Sequence, residues 1–164
     1  MKKMAFSLAL VTLLGAAPAF SGDETPTVEV LAAETPPPFT LSPQKDDSPT
    51  LTRQKAALRL MKSAQVTTRV LQYCADATPE AGPALSGFNS RNGNTLALIL
   101  KVIKSTGGVT PEIKALLERE VTAAMEETLR KSDCLTLAIQ VRESERDIYK
   151  APDLAEDYAL VRGR

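Results

Sequence analysis

The sequence predicts an all-α protein: a small up-down bundle of about four helices, closed by one disulfide and preceded by a disordered, proline-rich tail. Three observations point there. From residue 51 onward Ala, Leu, Glu, Lys and Arg dominate, whereas the Val, Ile, Thr and aromatic runs that strands prefer are scarce. Apolar side chains in that region return at intervals of three, four and seven, the period of helices with one buried face. The two cysteines, Cys74 and Cys134, fall where such a bundle brings two helix ends together. A chain of 164 residues, 43% hydrophobic and 4% aromatic, suits one modest domain with an aliphatic core.

Residues 1–21 have the form of a secretory signal peptide: Lys2 and Lys3, an apolar run from Met4 to Ala17, then small residues. Cleavage fits after Ala19 or after Ser21, and the run is too short for a stable membrane span. The mature protein is therefore expected in a periplasm or outside the cell, with no transmembrane segment.

Residues 22–50 hold six of the eleven prolines and six acids against Lys45, a net charge of −5. So little apolar surface cannot offset the entropy of ordering the chain, and this linker is expected to stay extended.

Residues 51–151 form the predicted helical domain. Ser48-Pro49 is a helix start, since the serine oxygen accepts an orphan amide hydrogen and proline is tolerated in the first turn. Ala57, Leu60, Ala64, Leu71 and Cys74 then mark one buried face of a helix running to about Asp76. Leu85, Phe88, Leu96 and Ile99 continue the pattern up to a stop at Ser105–Gly108. Thr110-Pro111 caps a third helix, whose stripe Ile113, Leu116, Leu117, Val121, Ala124, Met125 and Leu129 is the cleanest in the chain and ends near Lys131. Ser132-Asp133 reads either as a connector or as a dip within a longer helix. Cys134, Ala138, Val141 and Ile148 place a fourth helix up to Pro152, and residues 152–164 are expected to be a terminal turn and tail.

An exported chain with two cysteines is a candidate for one disulfide, Cys74–Cys134. In an up-down-up-down bundle the end of the first helix and the start of the fourth share one pole, so topology and bond agree.

The run "GFNSRNGNTLALIL" at residues 87–100 admits two readings. Asn92 or Asn94 caps a new helix, or one helix runs from about Pro83 to Ser105 with Asn92 inside the bundle. Burial of the stripe outweighs the poor helix propensity of Gly87, Gly93 and the asparagines, which favours the continuous form. A buried Asn92 needs partners, and Asn89, Arg91 and Asn92 together make the candidate polar site, although caps and turns are the commoner use of such residues.

Lys55, Arg59, Lys62 and Arg69 lie along one side of the first helix with Arg53 nearby, a candidate basic face for an anionic surface or an acidic partner. The simpler reading is a solvated face.

Residues 51–164 carry 17 basic and 14 acidic side chains, which with so few aromatics excludes the usual nucleic-acid binder. The chain has no histidine, so no Ser-His-Asp or Cys-His centre is available, and a disulfide would occupy both thiols. Phosphate loops, nucleophile elbows and metal-ligand clusters are missing too. No catalytic residues, cofactor or metal are expected. The reading is a non-catalytic binding or adaptor protein of the cell envelope, with an unknown envelope protein or an anionic surface as partner. A periplasmic stress chaperone and a carboxylate-dependent hydrolase of envelope polymers are the alternatives.

Overall fold

The computed structural model describes residues 38–163; the expected signal peptide and the first part of the expected linker lie outside them. Among the described residues the chain is helical throughout, with no strand. The order is α1 (Pro49–Cys74), α2 (Ala81–Ser105), α3 (Pro111–Lys131), α4 (Cys134–Arg142), two 3₁₀ turns (Ile148–Lys150 and Pro152–Leu154) and α5 (Ala155–Arg162).

The start signals work as their chemistry requires. Ser48 Oγ accepts the Leu51 amide hydrogen at 3.2 Å, Thr110 Oγ1 that of Ile113 at 3.3 Å, and Asp133 Oδ1 that of Thr136 at 2.9 Å. Asp133 therefore separates α3 from α4, with Ser132 extended between them. Gly107 and Gly108, at φ 113° and 76°, make the turn after α2 that a side-chain-bearing residue would resist.

Helix α1 is the hub, against which α2, α3, α4 and α5 all pack. Gln54 through Leu58 are buried in unbroken succession, so this stretch of the helix is covered all round and not on a single face. Ala56, Ala57 and Ala64 allow the neighbouring helices to approach closely, while Leu58, Leu60 and Leu71 fill the gaps with Phe88, Ile99, Leu137 and Val141. Gln54 near the start of α1 donates to the Gly108 carbonyl just before α3, and Lys62 pairs with Glu120, so α1 and α3 run the same way.

The disulfide is closed between Cys74, the last residue of α1, and Cys134, the first of α4, with the Cα atoms 5.4 Å apart. The pole predicted for it is the pole it occupies.

Three expectations need correction. There are five α-helices among the described residues, not about four, and α4 stops at Arg142. Its predicted continuation breaks at Ser144, φ 67°, because Asp147 is drawn back into the bundle; Ile148 is buried from a 3₁₀ turn instead. Residues 152–164, expected to be a tail, contain α5, which buries Val161 and Asp157 against the hub. Finally, residues 38–48 of the expected linker sit on the domain. Leu41 is 4% exposed, Phe39 packs on the core with the Lys55 ammonium 5.7 Å from its ring, and Asp47 binds Lys55 at 2.8 Å. Two apolar anchors were enough to seat a stretch that average composition marked as free.

Candidate functional site

The asparagine-rich run is one helix: α2 passes through Asn89, Asn92, Gly93 and Asn94 without interruption. Its buried stripe is Ala81, Ala84, Phe88, Asn92, Thr95, Ile99 and Val102, which puts the Asn92 amide in the core at 0% exposure. A buried amide must find partners. Asn92 Nδ2 donates to the Phe88 carbonyl and to Asp147 Oδ1, both at 2.9 Å, and Asn92 Oδ1 accepts the Ile148 amide hydrogen at 3.0 Å.

Asp147 is the centre of this node. The Arg91 guanidinium grips it through Nε at 3.0 Å, Tyr149 donates its hydroxyl at 3.2 Å, and Arg91 also reaches the Val141 carbonyl at the end of α4. Burial alone would raise the Asp147 pKa; the bonds from Arg91 and Asn92 and the Arg91 charge outweigh it and hold the carboxyl below its ordinary value. Gly87, one turn before Arg91, makes the room: a Cβ there would stand 2.9 Å from the guanidinium. Two of the three expected polar residues thus come together, and the third does not. Asn89 is exposed and outside the node.

The node ties the 143–150 loop to the middle of α2. Every donor of the Asn92 amide and both oxygens of Asp147 are engaged by other groups of the fold, so the arrangement positions a loop.

The basic stripe of α1 is likewise committed inside the molecule. Lys55 binds Asp47 and the Ser42 carbonyl. Arg59 holds Asp157 of α5 from Nε at 2.7 Å and reaches the Leu41 carbonyl. Lys62 pairs with Glu120 at 2.8 Å and Arg69 with Glu118 at 2.7 Å, both on α3, while Arg53 donates to the Val161 carbonyl. These cations fasten the N-terminal segment, α3 and α5 to the hub. Sequence spacing located the stripe but not its partners, because each acid comes from a different element and lies at least eight residues away in the chain.

Two surfaces remain uncommitted. Between α2 and α3 the hub is incompletely covered, and two depressions of about 210 and 230 Å³ meet at Met61 and Gln65. Leu58 floors this groove; Leu96, Leu100 and Ile103 wall it from α2, Leu117 from α3. Leu100 and Val109 are 48% and 47% exposed there, and Gln65 Oε1 is buried with no hydrogen-bond partner among the described residues. Lys114 stands exposed at the groove, and Lys101 and Lys104 line a neighbouring hollow of α2 that shares Leu100 with it; none of the three is within an ion pair to a described residue. Periodicity could have flagged Leu100, an apolar residue off the buried stripe. A second hollow lies between α1, α3 and the 146–157 arm. Among the described residues no three Cys, Asp or Glu side chains converge as a metal site would require, and no helix is long and apolar enough to cross a membrane.

No protein-family model matches the chain, and no curated protein or solved structure matches it.

Proposed function

We propose that this is an exported, non-catalytic binding protein of the cell envelope, which docks an acidic, amphipathic segment of a partner protein along the seam between α2 and α3. The observation that carries the reading is the groove itself: an apolar floor and walls, an unpaired buried carbonyl oxygen on Gln65, and Lys114 on its rim, with Lys101 and Lys104 in the adjoining hollow beyond Leu100. An apolar stripe on the partner would cover Leu100 and Val109. Carboxylates beside that stripe would meet Lys101, Lys104 and Lys114, and one donor would satisfy Gln65. Export is supported by the form of residues 1–21 and by a closed disulfide, which belongs to oxidising compartments.

The test is a photo-crosslinking amino acid in place of Leu100, in cells that export the protein, with the captured stretch mapped by mass spectrometry. An acidic amphipathic stretch is expected, and the pair Lys101→Glu/Lys104→Glu should abolish its capture. The reading is wrong if the mapped stretch is basic, or if capture survives the charge reversal.

A further inference from the structure

The hollow between α1, α3 and the C-terminal arm has a volume of about 410 Å³ and a lining unlike that of the α2–α3 seam. Its charged groups are Arg59, Lys62, Arg146, Asp153 and Asp157. Most of these are spoken for: Arg59 is locked to Asp157, and Lys62 to Glu120.

Arg146 is different. Its Nε donates to Gln140 Oε1 at 3.0 Å, but no carboxylate of the described residues lies within ion-pair distance of its guanidinium. The group is nevertheless partly buried, and burial pulls its pKa down against an upward pull from the neighbouring Glu145. A half-buried guanidinium without a carboxylate is costly to maintain in a fold that pairs so many of its other cations. The two fork nitrogens left over are suited to a planar two-oxygen anion.

The rest of the wall narrows the class. Ser63 and Thr67 place hydroxyls on the α1 side, and Val66, Ala124 and Leu154 supply an apolar side. The single uncommitted cation can pair with one carboxylate, and the exposed Asp153 opposes any further negative charge, which disfavours a phosphate dianion more than a monoanion.

We propose that this hollow is a binding site for a small monocarboxylate with a short apolar body, its carboxylate paired with Arg146 and its body against Val66, Ala124 and Leu154. A free organic acid and the C-terminal carboxylate of a short peptide share this chemistry. The site does not depend on the docking seam and stands or falls separately from it.

The experiment is an NMR titration of the full mature chain, in parallel arms. Isovalerate is the free-acid probe, with isovaleramide as its neutral counterpart. The tripeptide Ala-Ala-Leu with a free C-terminus, against its C-terminal amide, is the peptide probe. Saturable shifts at residues 63–67, 124 and 146–154 are expected with either carboxylate and with neither amide, and the tighter of the two carboxylates names the source. Arg146→Gln should weaken binding roughly tenfold or more, the effect of one charge-assisted pair, whereas Arg142→Gln, exposed one helix end away, should bind as the parent does. Ala124→Leu fills the hollow without touching a charge and should block binding; it carries the test if Arg146→Gln does not fold. Equal binding of acids and amides, no saturable shift with either acid, or undiminished binding by Ala124→Leu would overturn the proposal.

Discussion

Replacing Asn92 with alanine probes a polar side chain that the fold buries completely. Three bonds are lost: to the Phe88 carbonyl, to Asp147 and from the Ile148 amide. A typical internal hydrogen bond contributes about 1 kcal/mol, and a buried N–H left without an acceptor costs about 1–3 kcal/mol more. Alanine returns roughly 0.5 kcal/mol through its better helix propensity. The expected net loss is therefore about 3.5–5.5 kcal/mol, a large part of the roughly 5–15 kcal/mol that holds a domain of this size folded. Asn89→Ala is the control, since that side chain is exposed and bonds nothing; it should stabilise by roughly 0.5 kcal/mol, the opposite sign. Urea unfolding followed by circular dichroism at 222 nm, with unchanged m, measures both. A double-mutant cycle with Asp147→Ala should return a coupling of about 1–2 kcal/mol. Strict additivity, or a loss from Asn92→Ala below about 1 kcal/mol, would show that the loop is held by apolar contacts and that the node is incidental.

Three further outcomes follow from the same structure. The disulfide closes a loop across 60 residues, so Cys74→Ala/Cys134→Ala should lower stability by about 4 kcal/mol, read as the shift in urea midpoint against the oxidised parent; a loss under about 1 kcal/mol would mean that the loop is already short in the unfolded chain. Gly93 has nothing within 4 Å of where a Cβ would stand, so Gly93→Ala should stabilise by about 0.5–1 kcal/mol. Gly87→Ala should forfeit that gain, because its Cβ would press on an Arg91 guanidinium already anchored to Asp147 and Val141; equal stabilisation by the two substitutions would refute the account of Gly87. The carboxyls of Asp147 and Asp47 are both held low in the folded chain, so in acid the unfolded chain binds more protons and stability falls. That loss should begin near the ordinary carboxylate value of about 4 and deepen towards the lowered folded-state values, with Asp147→Asn showing a shallower decline. With no histidine in the chain, the melting temperature should be nearly level between about pH 5.5 and 8.

What the sequence made legible follows from which forces are local. Caps at Ser48, Thr110 and Asp133 act over three residues, and the stripe of α2 is a property of one helix, so each could be read from spacing. Asn92 was placed in the core for the same reason. Asp147 was not found, because it sits among Glu143, Glu145 and Arg146 in a charged stretch with no helical period, and only tertiary contact with α2 distinguishes it. The stripe on α1 was misread as a surface by the same logic. A cation looks solvated until the acid that meets it is known, and Asp157 is 98 residues away. Helix α5 escaped notice because its eight residues, with Asp157 and Val161 as the buried pair, are too few to establish a period.

These misreadings share a cause that bears on where the protein can act. A hub helix contacted by four others must accommodate its own charged residues, and it does so by drawing Asp47, Glu118, Glu120 and Asp157 from the surrounding elements. The cations of α1 thereby become fasteners for α3, α5 and the segment before α1. Lys101, Lys104 and Lys114, on the outer helices, have no such partner among the described residues; Lys114 borders the stretch of the hub that α2 and α3 leave between them, and Lys101 and Lys104 line the adjoining hollow beyond Leu100. Charge that is idle in the fold, next to apolar surface that is uncovered, is the combination by which a second chain would be recognised. The stripe of α1 fails that criterion despite its higher charge, and the seam meets it. Reversing Arg59 or Lys62 should thus unfold or loosen the domain, whereas reversing Lys101 and Lys104 should leave its melting temperature unchanged and alter only what it holds.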